Sequence, residues 1–466
     1  MNEIKLDLEN KMKLLMKEKE KLNIKKELEK YKIENNKLKN ENIILIEKSK
    51  KLEKDKKEKE QKYKELFDKN ERINIMNNND IKENKDEKSK QNEVLINQPI
   101  LSYNLPPLIG LNNIRATHFM NSTLQCLSQT EYLTNYFLKE ENKDQIINNN
   151  ITLVNKNEKL LTPRYLELIN NLWSKTAKKS YSPYEFREII EEMNPLFKEG
   201  QTGDCKDFIK FVLQRIHNEL KKPNNNFAIT KKNLNQYDKN SVLYNFFYEF
   251  LKETSIISNF FFGTIETTNI CLNCKNNSMF RGMNTPICYN YQSFNCLIFS
   301  LEEIAKMKFN NMSYINMDNN IVNIDDCFKF YEKTVYFINY CGVCNMKCDC
   351  ECKCKIYVSP IVLILILNKG KDNNYKVKMN FYENINISQY VIENEGNQLI
   401  YDLYGVITLI GKSGSSEHFV ASCKSPVDQK WYRYNDDLVS LINDFKREVI
   451  DFETPYILFY KKKINL

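Results

Sequence analysis

Apolar residues recur seven apart at Ile24, Tyr31, Leu38, Leu45 and Leu52, and a second set falls at Leu8, Leu15 and Leu22. A seven-residue repeat keeps one stripe of a helix facing a partner, so this is the spacing of a coiled-coil seam. The companion column is weak, because Asn35, Asn42 and Ser49 stand where a second apolar knob belongs. Residues 1–75 therefore predict a coiled coil able to self-associate or a solvated charged helix, with a disordered tail as the alternative. Across "MNNNDIKENKDEKSKQNE" the periodicity is lost, and residues 76–103 predict a polar linker.

At "LPPLIGL" prolines and clustered apolar residues open a globular domain, expected over 104–465. Helical periodicity fills roughly 118 to 250, including "SPYEFREIIEEM", where Ser182 is expected to cap and Pro183 to occupy the first helical position. After about Phe260 strand patterns prevail: "FFFGTIETTNI", "KIYVSPIVLILIL", "LIYDLYGVITLI" and "EHFVASC". Helices first and strands later predict an α+β fold.

Composition refines this picture. The chain's 466 residues, 42% of them apolar, suffice for one large domain with an extension, and 27 Tyr and 26 Phe against 11 Gly suit a strand-rich core. The net charge of +8 is a mild bias within 28% charged residues of both signs, which argues against a nucleic-acid partner. The N-terminus "MNEIKLDLENK" has no apolar signal core, and the run Ile361 to Leu367 is too short for a bilayer. The expectation is an intracellular protein of the cytoplasm or nucleus, with no membrane association. Fourteen cysteines in that setting suggest metal ligands and buried thiols rather than disulfides.

Two CxxC pairs, Cys271 with Cys274 and Cys341 with Cys344, each place two thiolates on one cation, the spacing of a structural Zn²⁺ site. The run "KCDCECKC" then alternates Cys348, Cys350, Cys352 and Cys354, which a strand would put on one face. These four are small apolar residues lining a strand, or else a second metal or redox cluster. Cys288, Cys296, Cys327 and Cys423 are expected to be buried thiols.

The stretch "GLNNIRATHFMNSTLQCL", Gly110 to Leu127, resembles the cysteine box of the ubiquitin-specific proteases, usually GLxNxGNTCYMNSxLQ, with Gly110, Leu111, Asn113, Thr117, Met120, Asn121, Ser122, Leu124 and Gln125 matching. "YDLYGVITLIGKSGSSEHFVASCKSPVDQKWYRYNDDLV", from Tyr401, is similar to the family's histidine box, and "GDCKDFIKFVLQRIHNEL", from Gly203, to its QxDAxEF segment. The resemblance covers about Leu105 to Tyr460. It implies a papain-like hand of thumb, palm and zinc-bearing fingers that grips ubiquitin while a cysteine attacks ubiquitin's C-terminal carbonyl. His418 then falls at the general base, Asn435 and Asp436 at the residue orienting it, and Asp204 and Asp207 at the acids facing arginines in ubiquitin's tail. Acids at a helix start are also placed there for its dipole alone. Phe419 follows the base and either lines the tunnel for the C-terminal glycines or belongs to the core, while Trp431 is expected in the core.

Against that pattern His118 occupies the nucleophile's position. The next cysteine, Cys126, lies eight residues on, about 12 Å along a helix axis. Thr117 and Ser122 carry hydroxyls, but the family has these beside a separate cysteine, so capping or local hydrogen bonding is their expected role. Ala116 replaces the Asn that would help hold the oxyanion, Arg115 replaces a Gly, and Glu417 adds charge before the base. Losing a nucleophile costs on the order of 10⁶ in kcat. The reading is a catalytically dead hand that binds ubiquitin or a ubiquitinated protein as a scaffold. One alternative is an active deubiquitinase using another residue, or a metal on His118, His418 and Asp436. Another is an interaction platform without ubiquitin binding, which "NKG" at Asn368 to Gly370, where the family often has Lys-Arg-Phe, also suits.

Overall fold

The computed structural model describes residues 106–463 apart from 107, 155–158, 176–177, 199–202, 224–240, 277–286, 310–320, 342, 371–376, 394–397, 412–417 and 452–454. The expected coiled coil over 1–75 and linker over 76–103 lie outside the described residues, as does Glu417.

Within these limits helices lead and strands follow, the α+β order the patterning predicts. A short strand β1 (Gly110–Leu111) pairs in parallel with β2 (Ser180–Tyr181). The helices are α1 (His118–Ser128), α2 (Glu131–Leu138), α3 (Glu140–Val154), α4 (Thr162–Leu172), α5 (Tyr184–Met193), α6 (Cys205–Leu220), α7 (Val242–Lys252) and α8 (Ile256–Phe261). Further elements, leaving aside the shortest strands and turns of helix, are β3 (Gly263–Cys271), α9 (Leu272–Asn276), β4 (Ile287–Phe294), β5 (Leu297–Ser300), α10 (Leu301–Lys308), α11 (Ile324–Tyr331), β6 (Val335–Cys341), β7 (Met346–Val358), β8 (Val362–Asn368), β9 (Asn384–Asn386), β10 (Ile400–Ile410), β11 (His418–Lys424), β12 (Trp431–Asn435), β13 (Leu438–Ile442) and β14 (Pro455–Lys462).

The palm is an eight-stranded sheet in the order β13-β12-β11-β10-β14-β8-β5, with β9 on β10. The β8–β5 pair is parallel and its other ladders are antiparallel. The run "VLILIL" of β8 is apolar at every position because both faces of the sheet are covered. Val362, Ile364 and Ile366 enter the core shared with α1, α2, α4, α5, α6 and α8, whereas Leu363, Leu365 and Leu367 enter a second core beneath α10 and α11. Period-two geometry thus turns one hydrophobic run into the wall between two cores. Trp431 lies in the second core, where it stacks on Phe445 at 4.0 Å.

The fingers are a four-stranded antiparallel sheet in the order β4-β3-β7-β6. One boundary differs from the sequence reading. Phe260 and Phe261, expected at the start of a strand, end α8 instead. Ser255 forms a capping box with Ser258, its Oγ accepting from the Ile257 and Ser258 amides at 3.1 and 3.2 Å, which nucleates a turn that hydrophobicity alone does not reveal. The strand begins at Gly263, where a Cβ would stand 2.5 Å from the Phe294 ring.

Candidate active site at the start of helix α1

Helix α1 is buried from Phe119 to Ser128 although half of it is polar. It tolerates this because the polar side chains bond backbone carbonyls: Thr123 Oγ1 donates to Phe119 O at 2.8 Å, and Gln125 Nε2 to Ile109 O at 3.0 Å. The helix lies against β11, so its first turn meets the first residue of that strand. His118 and His418 are thereby brought together, with ring centroids 5.2 Å apart and a 54° tilt, although 300 residues separate them in the chain.

His418 is oriented by Asn435, whose Oδ1 accepts from His418 Nε2. That bond places a ring proton on Nε2, so that in the neutral ring the lone pair falls on Nδ1, the atom a general base would use. Asp436 stands farther off, its Oδ2 3.9 Å from His418 Nε2. Its carboxylate is instead clamped by two amides of the opposite motif, with Asn121 Nδ2 donating to Oδ1 at 2.8 Å and Asn113 Nδ2 to Oδ2 at 2.8 Å. Gly110 permits this junction, since a Cβ there would meet the Asp437 carbonyl oxygen at 2.3 Å.

At the first residue of α1, His118 stacks on Phe419 at 5.6 Å, and its Nδ1 receives the Phe419 amide at 3.4 Å. Its pKa lies below the usual histidine value because burial disfavours the cation and His418 repels it, with Asp436 opposing in part. The ring is therefore a neutral imidazole at neutral pH. No thiol replaces it. Cys126 is fully buried with its Sγ 3.5 Å from Cys423, and Cys205 is buried beneath Ser122. Burial pushes both thiols well above their ordinary pKa. Thr117 Oγ1 accepts from Ile114 N at 2.9 Å and Ser122 Oγ donates to Phe119 O at 3.2 Å, so both hydroxyls serve local structure.

The loop before α1 carries two residues with left-handed backbone, Arg115 at φ 58° and Ala116 at φ 63°. Side chains with a Cβ resist this region, and it persists here because the loop is held on both sides. Asn112 Nδ2 donates to Ser182 Oγ at 2.6 Å, the Thr117 amide to Asn113 Oδ1 at 3.0 Å, and the buried Arg187 to Ile114 O at 2.9 Å. Ser182, expected to cap α5, is thus used to hold this loop; Pro183 takes the cap position instead, the helix begins one residue later than expected, and α5 has no side-chain cap. Ala116 offers a methyl where the family pattern has an amide donor.

Asp204 caps α6, its Oδ1 accepting from the Lys206 amide at 2.8 Å. Tyr456 donates its hydroxyl to both carboxylate oxygens at 2.7 and 2.8 Å, and Lys206 Nζ lies 3.2 Å away. Asp207 is exposed in the first turn of the same helix. Phe419 is buried, its ring 5.4 Å from Tyr456. Sequence reasoning missed Tyr456, 252 residues from Asp204 with nothing local to announce the pairing, and missed the clamp made by Asn113 and Asn121, whose signal was their place in the motif.

The fingers bring Cys271, Cys274, Cys341 and Cys344 together, with all four Sγ atoms within 4.8 Å of one another. Their cross-pairs, Cys271 to Cys344 at 3.9 Å and Cys274 to Cys341 at 3.7 Å, match the edge of about 3.8 Å that a tetrahedron of 2.3 Å metal–sulfur bonds requires. The donor set fits one thiophilic ion. His118, His418 and Asp436 form no such group: the carboxylate belongs to Asn113 and Asn121, and His418 Nε2 to Asn435. Cys327 and Cys423 are buried as expected and Cys296 partly so, but Cys288 is exposed because it falls on β4, the edge of the finger sheet. No helix among the described residues is long and apolar enough to cross a membrane.

Similarities to known proteins agree with this geometry. Ubiquitin carboxyl-terminal hydrolase 15 of Xenopus tropicalis is 38% identical over 116 residues, 25% of this chain and 11% of that protein. Ubiquitin carboxyl-terminal hydrolase 4 of Pongo abelii is 37% identical over 123 residues, 26% of this chain and 12% of that protein. The matched stretch is thus about a ninth of the relatives' own length. Among solved structures, the yeast SAGA DUBm with an Sgf73 mutant covers 79% of this chain and 71% of its own, at 19% identity and a TM-score of 0.52. The SAGA Ubp8/Sgf11/Sus1/Sgf73 DUB module bound to ubiquitin aldehyde covers 79% and 72%, at 20% identity and a TM-score of 0.51. These two show the shared hand-like fold. The sequence pattern of the family described as ubiquitin carboxyl-terminal hydrolase runs from residue 109 to residue 460, and the chain belongs to that family.

Proposed function

We propose that this protein is a catalytically dead ubiquitin-specific protease hand that binds ubiquitin, or a ubiquitinated protein, as a scaffold. The observation that supports it is the neutral imidazole of His118 at the start of α1, beside an otherwise assembled base of His418 and Asn435. Acyl transfer needs a nucleophile that attacks and then leaves, and the thiolate that does so in this family has no counterpart here. The absent amide at Ala116 removes a second contribution, an oxyanion donor typically contributing ~10²–10³ in rate. The cysteine tetrad is assigned to structural Zn²⁺, which when bound cross-links β3 and α9 to the end of β6 and the turn that follows it.

A ubiquitin bearing a C-terminal electrophile should leave the protein unlabelled, whereas His118→Cys should form the adduct. Calorimetric titration of the parent chain with ubiquitin should saturate. Labelling of the parent chain at any cysteine would overturn the loss of catalysis, and absence of ubiquitin binding would overturn the scaffold role.

A second reading, an interaction platform without ubiquitin affinity, is favoured by one observation. Asp204, an acid expected to meet ubiquitin's arginines, already satisfies Tyr456, Lys206 and its own helix. The same titration separates the two, and Asp207→Lys should weaken ubiquitin binding only under the first.

A further inference from the structure

The fingertip holds more sulfur than one tetrahedral ion can use. Even-numbered residues of β7 share one face of the finger sheet, and the register sets Cys350 opposite Cys271 while Met346 lies opposite Cys341. Cys348 and Cys350 therefore occupy the rows that the tetrad already spans. Cys350 is 6% exposed and packs with Cys271 and Cys274, and Cys348 Sγ lies 3.4 Å from Cys344 Sγ. That separation is close to a tetrahedron edge and far longer than the ~2.05 Å of a disulfide. Cys352 and Cys354 leave the group. They face Asn269 and Thr267, and Cys354 packs on the core beneath α10 and α11.

We propose that Cys348 and Cys350 extend the tetrad into a six-thiolate site that holds two thiophilic divalent ions, Zn²⁺ or Cd²⁺. A tetrahedron has no fifth corner, so a sulfur at edge distance from Cys344 serves a second ion through Cys344 as a shared corner. Two four-coordinate ions need eight positions, and six thiolates supply them when two bridge, Cys344 beside Cys348 and Cys271 opposite Cys350. Each thiol releases its proton to water as it binds, and no oxidant or reductant is involved. The consequence is a fingertip in which metal affinity is cooperative between two ions.

The test is metal count by native mass spectrometry on the full reduced chain, stripped of metal and then saturated with Zn²⁺ or Cd²⁺. The parent should take two ions, and Cys348→Ser combined with Cys350→Ser should take one. Two tetrathiolate resonances in cadmium NMR of the parent provide a readout that needs no variant. A single ion on the saturated parent, or two ions on the double variant, would overturn the assignment. The count does not depend on ubiquitin, so its failure leaves the scaffold reading standing.

Discussion

At the scale of single residues, His118 carries a pH signature. Its folded pKa lies below the usual 6.5, so folding favours the neutral ring. The stability this contributes is complete above the unfolded value and is lost as pH falls through the folded one. His217 is shifted in the same direction by burial and by Lys221, so both rings contribute to acid sensitivity. Histidine resonances should place the His118 midpoint below about 6.5, and a His118→Gln protein should lose less stability on acidification than the parent. A second prediction concerns backbone strain. Arg115 holds φ 58° against its Cβ, and glycine adopts that region freely. Arg115→Gly should raise the unfolding free energy by about 0.5–1 kcal/mol in urea titrations, the relief of strain outweighing the extra freedom of the unfolded chain.

Among the elements, β8 is the most exposed to damage by truncation of a side chain. Leu365 is fully buried in the core beneath α10 and α11, and Leu365→Ala should cost about 2–5 kcal/mol by urea denaturation. That this run is a strand was legible in "KIYVSPIVLILIL"; its burial on both faces was not read from it, because a short continuous apolar run suits a buried helix as well as a covered strand. The meeting of His118 with His418 was legible in two motifs whose spacing is fixed by chemistry. The end of α8 at Phe261 was not: runs of phenylalanine suit strand and helix alike, and the decision rests with Ser255 and Ser258, two small residues upstream. The cap expected at Ser182 failed for a related reason. A hydroxyl serves any nearby donor, and here the donor is Asn112, 70 residues away. Asp204 shows the same limit, since its helix cap is a local feature and its two bonds from Tyr456 are not.

For the whole molecule, palm and fingers rely on different kinds of cohesion. The central palm strands β8, β10 and β14 are largely buried on both faces, while the finger strand β6 is exposed along most of its length, with Tyr336, Ile338 and Tyr340 each more than half accessible. Cohesion at the fingertip is therefore expected from a metal held by the cysteine tetrad, if one binds as proposed, rather than from apolar packing. Treatment with a strong chelator should open the fingertip segments 271–276 and 335–350 to limited proteolysis while the palm strands stay protected, as peptide mapping would show. Equal protection of both regions after chelation would contradict that division.

The last strand described, β14, is also interior to the palm, flanked by β10 on one side and β8 on the other. During synthesis, then, a chain halted before residue 455 leaves a five-stranded and a two-stranded piece of sheet whose inner edges have no partner, each an open template for another polypeptide. The ribosome must release nearly the entire domain before those edges are sealed. Chaperones have that interval to guard.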